Sequence, residues 1–433
     1  MKVIGIDRIL GIAVLASLLA VAGCGSDHHH GGFVKVTPRP PSKTSPGSGL
    51  FAVDCKRSRA YIPLDTLNGS ENGQVSVIDL SVNPDTTDPR VTIVALTHGP
   101  IPTGTALDSD HNLILVASGG FVDVINESNN TLVSGSPFAI PGGGTVGGTG
   151  QILYNPTTKL AILNVSTPAT GFVTFDPVTH AFGTVIPANY AETFSLNSTT
   201  NVAMDSSDSS PFNTIDAIDI TDGRACVLTD TNLTGDQDGA STDAATNITV
   251  ISNEDGTATV LNLNGSAFNP AGVSTTPCTL VETNAPNSVL VSGLPGSTAG
   301  SAVNGTTHQA FLIEDGSNGV TLIQLPSNPV AGQIVAGNLG TPSISTIPND
   351  PLGVFWGTQG DPYAVAVGEC NNKGYAVDDT FKFLVQVDLP TLLSTPAKIS
   401  TALPAGKCAG TTSTTFTCDN GAGTKFFPLP GVI

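Results

Sequence analysis

Apolar and polar residues alternate with period two over short stretches of this chain, and those stretches recur. Within Pro102–Ile125, Thr105–Leu107 reads as a strand, Asp108–Asn112 as a tight polar turn and Leu113–Ala117 as a second strand. Gly119 and Gly120 then turn the chain into a third strand, Phe121–Ile125. Such alternation marks strands with two distinct faces, and Asp, Asn and Gly mark the turns between them.

The unit recurs seven times when each copy is aligned on the residue that opens its turn: Asp54, Asp108, Asn155, Asn197, Asp243, Asn304 and Gly368. Six residues on, the positions are mostly small: Ala60, Ile114, Ala161, Ala203, Thr249, Ala310 and Gly374. Seven residues on they are bulky and apolar: Tyr61, Leu115, Ile162, Met204, Val250, Phe311 and Tyr375. A third strand returns in each copy, as in Gln74–Asp79, Phe172–Asp176, Ile215–Asp219, Thr257–Leu261, Val320–Gln324 and Phe383–Asp388. A fourth follows in most, for example Val91–Leu96 and Lys398–Thr401. By subtraction the anchors lie 54, 47, 42, 46, 61 and 64 residues apart. Four strands per unit at this period predict an all-β, seven-bladed β-propeller with four-stranded antiparallel blades. Six or eight blades, or an open array of β-sandwiches, are the alternatives.

The stretch Pro102-x-Gly104-x-Ala106-x-Asp108, the apolar strand Leu113–Val116 and its echo Ala60-Tyr61-Ile62-Pro63 resemble the YVTN and NHL type of propeller repeat. The resemblance spans roughly residues 50–400 and implies a fold and a binding scaffold, with no fixed activity. The Trp-Asp dipeptide of WD repeats is absent; Trp356 is the only Trp and falls in an insertion. The Trp-bearing repeats expected of a quinone-dependent dehydrogenase propeller are missing for the same reason.

Charged residues make up 12% of the 433, about half of the usual ~25%. Thr, Ser and Asn replace Lys and Glu as the polar residues. The net charge of −19 argues against nucleic acid and anionic lipid headgroups as direct partners, because both are bound through Lys and Arg.

Met1–Arg8 is a short segment with two cations, and Ile9–Val21 is an apolar run sized for a signal peptide rather than a membrane span. The run ends in Val21-Ala-Gly-Cys24, which resembles a bacterial lipobox. That resemblance implies cleavage, diacylglycerol on Cys24, and a mature chain in the cell envelope. Gly25 after the cysteine resembles an outer-membrane address. The expected layout is a signal peptide over 1–23, a Pro-rich tether over 24–49, the propeller over 50–404, and a segment over 405–433 that is an extension or part of the last blade. His28–His30 within the tether is either a polar spacer or a transition-metal ligand set. Phe33–Thr37 reads as a spare strand, expected to complete the last blade, with Lys425–Phe427 as the competing candidate.

Six cysteines remain, an even number that suggests disulfides in an exported chain. Cys55 and Cys370 follow the first and last anchors, so a bond between them would staple the ring. Cys408 and Cys418 bracket a Thr-rich loop, and Cys226 and Cys278 are left to pair by elimination. Free buried thiols are the alternative.

The strongest candidate for chemistry is the loop holding Asp230, Asn232, Asp236 and Asp238, closed by Gly239. Several hard oxygens in one loop suit Ca²⁺, although the closing bidentate Glu of a calcium loop is missing; a plain acidic loop is the competing reading. The loop precedes a first strand, where it would rim one mouth of the channel. His98 precedes another first strand and is the His placed to act as ligand or base. His111 and His308 fall on turns, and Asp205–Asp208 reads as a solvated hairpin. No GxSxG elbow, P-loop or HExxH occurs, so no catalytic residue is assigned. The reading is a lipid-anchored envelope propeller that binds other envelope proteins or a surface ligand. A metal-dependent propeller hydrolase, lactonase-like or lyase-like, is the alternative.

Overall fold

A computed structural model describes residues 50–64, 73–81, 91–98, 102–147, 150–167, 169–188, 193–207, 212–264, 267–268, 280–281, 288–294, 296–315, 319–330, 343–346, 362–378, 383–390, 418–419 and 424–428. Seven antiparallel sheets follow one another along the chain. Blade 1 is Ala52–Asp54, Arg59–Leu64, Gln74–Asp79 and Val91–Ala95, hydrogen-bonded in that order. Blade 2 is Pro102–Asp108, Leu113–Ser118 and Phe121–Asn126, whose outer edge carries Thr131–Leu132 and Phe138–Ala139. Blade 3 is Ile152–Asn155, Leu160–Thr167, Gly171–Phe175 and Ile186–Pro187, with Thr145–Val146 also pairing on the second strand. Blade 4 is Phe194–Asn197, Val202–Asp205, Thr214–Asp219 and Arg224–Thr229. Blade 5 is Gln237–Asp243, Ile248–Asn253, Thr257–Asn262 and Ser288–Val291. Blade 6 is Ser297–Asn304, Gln309–Asp315, Gly319–Gln324 and Ser343–Thr346. Blade 7 is Pro362–Gly368, Lys373–Asp378, Phe383–Asp388 and Thr424–Pro428. The first strands contact one another in cyclic order, the last against the first. The molecule is therefore a closed seven-bladed β-propeller.

All seven anchors are the last residue of a first strand. Six use the same device to turn the chain. The side-chain oxygen of Asp54, Asp108, Asn155, Asn197, Asp243 or Asn304 accepts hydrogen bonds from the backbone N–H groups two and three residues on. This Asx geometry is why only Asp and Asn serve there. The residue four after each anchor then takes a left-handed conformation: Ser58, Asn112, Lys159, Asn201, Asn247, His308 and Asn372 all have φ between 52° and 62°. Asn tolerates that region best of the residues with a Cβ, and it fills four of the seven places.

The small and bulky positions explain how blades stack. Both faces of a blade's second strand are buried, each against a different neighbour. Tyr61 packs with Ile114 and Val116 of blade 2, whereas Ala60 packs with Tyr375 and Val377 of blade 7. Ala161 sits in the core between blades 2 and 3, and Ile162 in the core between blades 3 and 4. A bulky side chain thus meets the small position of the next blade. The extreme case is Gly374 of blade 7, where a Cβ would stand 2.8 Å from the ring of Phe311 in blade 6.

Two expectations change. The fourth strand of the last blade is Thr424–Pro428, paired with Phe383–Asp388, and Cys418–Asp419 lies outside it as a fifth. The C-terminal strand thus takes the place expected for Phe33–Thr37 and for Lys398–Thr401, both of which lie outside the described residues. Its own apolar pair, Phe426 and Phe427, sits opposite Val385 and Leu384 in the register. Every blade is consequently built from one contiguous segment of chain. Cys24 and His28–His30 also lie outside the described residues.

Candidate functional site

The residue immediately before each anchor is partly exposed in every blade: Val53, Leu107, Tyr154, Leu196, Thr242, Val303 and Val367. These seven line a central cavity of about 720 Å³, within the range of ligand pockets, about 300–1,000 Å³. Five are aliphatic. The positions one residue earlier are small in six blades, where Ala52, Ala106, Ser195, Ser241, Ala302 and Ala366 let the first strands approach the axis. Hydroxyls tie the strands together at this depth. Thr105 Oγ1 donates to the Tyr61 carbonyl at 2.7 Å and accepts from Ala52 N–H at 2.8 Å. Ser241 donates to Ser301 at 2.8 Å, and the hydroxyls of Ser195 and Thr242 are hydrogen-bonded at 2.6 Å.

The cavity opens between the anchor turns, and a ring of links holds that mouth. Asn155 Nδ2 donates to Asn201 of the next blade at 2.8 Å, Asn197 to Asn247 at 2.7 Å and Asn304 to Asn372 at 2.7 Å. His308 meets the Asp243 carboxylate at 2.7 Å. Lys159 pairs with Asp110 at 2.5 Å, and Arg57 reaches Asn112 and, at 2.7 Å, Glu127. Six seams are closed in this way. At the seventh, the anchor is Gly368 and has no side chain to offer. The disulfide Cys55–Cys370 stands there instead, with Cα atoms 5.9 Å apart. A Cβ on Gly368 would lie 3.1 Å from the Cβ of Cys55 and 2.5 Å from Asn371 Oδ1, so a side chain there would crowd both.

The charged residues that line the cavity, Asp54, Lys56 and Glu369, all belong to blades 7 and 1. Lys56 and Glu369 flank the disulfide and line the cavity, while the rim elsewhere carries Ser109, Pro156, Ser198, Ala245 and Thr306. Glu369 Oε1 accepts from Gly305 N–H at 3.1 Å, which turns it towards blade 6. Behind the rim, Glu127 is buried against Tyr61 Oη at 2.9 Å. Burial pushes its carboxyl up to about 7, and the neighbouring Asp54 adds to the shift. Burial raises Asp54 as well, but hydrogen bonds with Glu127 and Arg57 outweigh it and leave Asp54 below its usual range.

The Asp230 loop and His98, the candidates for chemistry in the sequence, sit elsewhere. The Asp230 loop and His98 precede first strands, so they lie at the end of the channel opposite the cavity mouth. Asp230 Oδ1 is occupied by Asn232 N–H at 2.7 Å and by the Ser288 hydroxyl at 2.8 Å, and Asn232 Nδ2 also donates to Ser288. Asp238 is buried. Among the described residues no three His, Cys, Asp or Glu side chains are grouped to hold a metal ion. Within the expected Ca²⁺ set of Asp230, Asn232, Asp236 and Asp238, one oxygen of Asp230 is thus committed to Asn232 and Ser288. His98 packs edge-on to Phe121 with ring centroids 4.4 Å apart, and its Nε2 is 3.4 Å from Asp123. Burial pushes His98 down and Asp123 up to about 7, the Ser136 hydroxyl partly offsetting the latter. Asp205, Ser206 and Ser207, read as a solvated turn, are buried, and Asp205 accepts from Ser206 N–H at 2.9 Å. His111, read as turn polarity, meets its own anchor Asp108 at 2.7 Å.

Cys55–Cys370 forms the expected staple. Cys226 is also disulfide-bonded, whereas Cys278 and Cys408 lie outside the described residues. Cys418 belongs to the short strand outside blade 7. Sequence reading missed the cavity ring, although the apolar residue before most anchors was its visible signal. Among the described residues no helix is long and apolar enough to cross a membrane.

Comparison with protein-family models gives no match, and neither does comparison with curated proteins. Among solved structures the chain is similar to one titled Kuenenia stuttgartiensis Hydrazine Synthase. The TM-score is 0.51 at 13% identity, over 83% of this chain and 99% of that one. At that identity the likeness shows the fold alone.

Proposed function

We propose that this protein is a binding scaffold whose central cavity takes a small ligand with an apolar body and few charges. The observation that carries the reading is the ring of partly exposed side chains before the anchors, repeated in all seven blades at the mouth of one cavity. Mostly apolar rings of this kind cost hydrophobic free energy to keep wet, and an apolar ligand recovers it. The hydroxyls of Ser109, Ser198 and Thr306 at the rim, with Lys56 and Glu369 offering opposite charges, suit a neutral or zwitterionic polar end. The repeats are of the YVTN or NHL kind, and diacylglycerol on Cys24 holds the scaffold at the bacterial envelope, facing other envelope proteins or a surface ligand. The metal-dependent hydrolase reading has less support, since its acidic loop and His98 stand away from the cavity mouth.

The test is a fragment screen by ligand-observed NMR on the chain from Cys24 onward. Small aliphatic and aromatic compounds are expected to bind, and Leu196→Glu to remove that binding while changing thermal stability little, because Leu196 is partly exposed. No binding, or binding indifferent to Leu196→Glu, would refute the cavity as the site. For the anchor, an intact N-terminal peptide with unmodified Cys24 would refute lipidation.

A further inference from the structure

The seam between blades 7 and 1 is unlike the others in both chemistry and position. It is the seam that no direct chain link between consecutive blades spans: the outer strand of blade 7 is Thr424–Pro428 and the inner strand of blade 1 is Ala52–Asp54, and among the described residues each pairs only within its own sheet. Packing around Leu50, Ile62 and Tyr375 and the one disulfide hold it shut. That disulfide lines the cavity mouth, with Cys370 exposed and Cys55 partly exposed. Cys226, the other described cysteine in a disulfide, is 1% exposed.

We propose that Cys55–Cys370 is a thiol–disulfide exchange site, reduced by a dithiol from solution, and that its cleavage unlocks the ring at the cavity mouth. The attacking thiolate adds to Cys370 Sγ, the sulfur of the more exposed residue. The S–S bond breaks and Cys55 leaves as a thiolate. Two groups stabilise it there: the backbone N–H of Cys370, which donates to Cys55 Sγ at 3.2 Å, and the ammonium of the adjacent Lys56. The second thiol of the reductant, deprotonated, then attacks the mixed disulfide, closes its own disulfide and releases Cys370 as a thiolate. Two electrons pass from dithiol to protein, and the two protons of the dithiol end on Cys55 and Cys370 or in solvent. With no side chain on Gly368 to replace the lost link, the seam loosens first at the anchor turns, where every other seam keeps its hydrogen bond.

The experiment uses the full chain purified without reductant. It is exposed to millimolar dithiothreitol without denaturant, quenched, alkylated and mapped by mass spectrometry over time. Cys55 and Cys370 are expected to be labelled within minutes while Cys226 stays unlabelled. Lys56→Gln is expected to slow the labelling several-fold at neutral pH and low salt, with less difference at high salt. Amide hydrogen exchange in Ala52–Asp54 and Pro362–Gly368 is expected to rise on reduction while Phe194–Asn197 is unchanged. Native protein in which Cys55 and Cys370 resist labelling would overturn the proposal. So would labelling that keeps pace with Cys226, which signals global unfolding, or hydrogen exchange in the two inner strands that ignores reduction.

Discussion

At the scale of single residues, one Asp or Asn side chain turns the chain in six of the seven blades. Asn197 shows how much one amide does. Its Oδ1 accepts from Thr199 and Thr200 N–H at 2.9 and 3.1 Å, and its Nδ2 donates to Asn247 of blade 5 at 2.7 Å. Asn197→Ala removes all three and is expected to cost about 2 kcal/mol in urea unfolding; a loss under ~0.5 kcal/mol would show that water replaces the amide at no penalty. The turn half of this role was legible in the sequence, because an Asx turn is a contact between residues two and three apart. The other half was not, since Asn247 is 50 residues away and only ring closure brings it near. Buried carboxylates were illegible for a similar reason. Glu314 looks like a surface residue in sequence, yet it is wholly buried and accepts from the Thr321 hydroxyl at 2.9 Å. Burial pushes its carboxyl from 4.5 up to about 8. The folded state therefore holds a proton that the unfolded chain has released. The associated stability is complete below pH 4.5, declines as pH rises and is gone above about pH 8. Glu314→Gln is expected to match the wild type near pH 4 and to exceed it at pH 9 by roughly 2–4 kcal/mol. Equal pH profiles for the two proteins would show that Glu314 stays ionised in the fold.

At the scale of strands and sheets, the alternation of small and bulky residues on the second strand sets the spacing of blades. Gly374→Ala tests it where the fit is closest. The new methyl would stand 2.8 and 2.9 Å from Phe311 ring carbons and 3.0 Å from a Leu389 methyl, which calls for a destabilisation of about 1–3 kcal/mol. Gly374→Ala with Phe311→Leu should recover part of that loss, since the shorter side chain vacates the space; no recovery would mean that the backbone, not the seam, demands glycine. Second strands were readable because each begins five residues after its anchor, and third strands because they alternate clearly and begin within twenty residues of it. Outer strands were less so. The last one, Thr424–Pro428, begins 36 residues after Asp388 by subtraction, and no local pattern spans such a gap. The direction in which the channel opens was also unreadable. It follows from where side chains crowd the axis, and the loops carrying Asp230 and His98 proved to stand at the other end.

At the scale of the whole molecule, one covalent bond stands in for a side-chain link. Cys55→Ser with Cys370→Ser removes a cross-link spanning 315 residues, for which ~3–5 kcal/mol of stability is expected to be lost. A double variant melting within a degree or two of the wild type would show that packing at Leu50, Ile62 and Tyr375 suffices. The contiguity of each blade carries a further consequence. In chain order the ring has a first and a last blade, but in space the step from Pro428 to Ala52 is the same kind of step as from Thr229 to Gln237, an outer strand feeding the next inner one. Where the polypeptide begins is thus a property of the gene and not of the architecture. A circular permutant that joins Pro428 to Leu50 through a short linker and opens between Thr229 and Gln237 should fold to the same ring. Its cysteine pair would then bridge two blades already joined by peptide, and cutting that bridge would cost it far less than it costs the natural order.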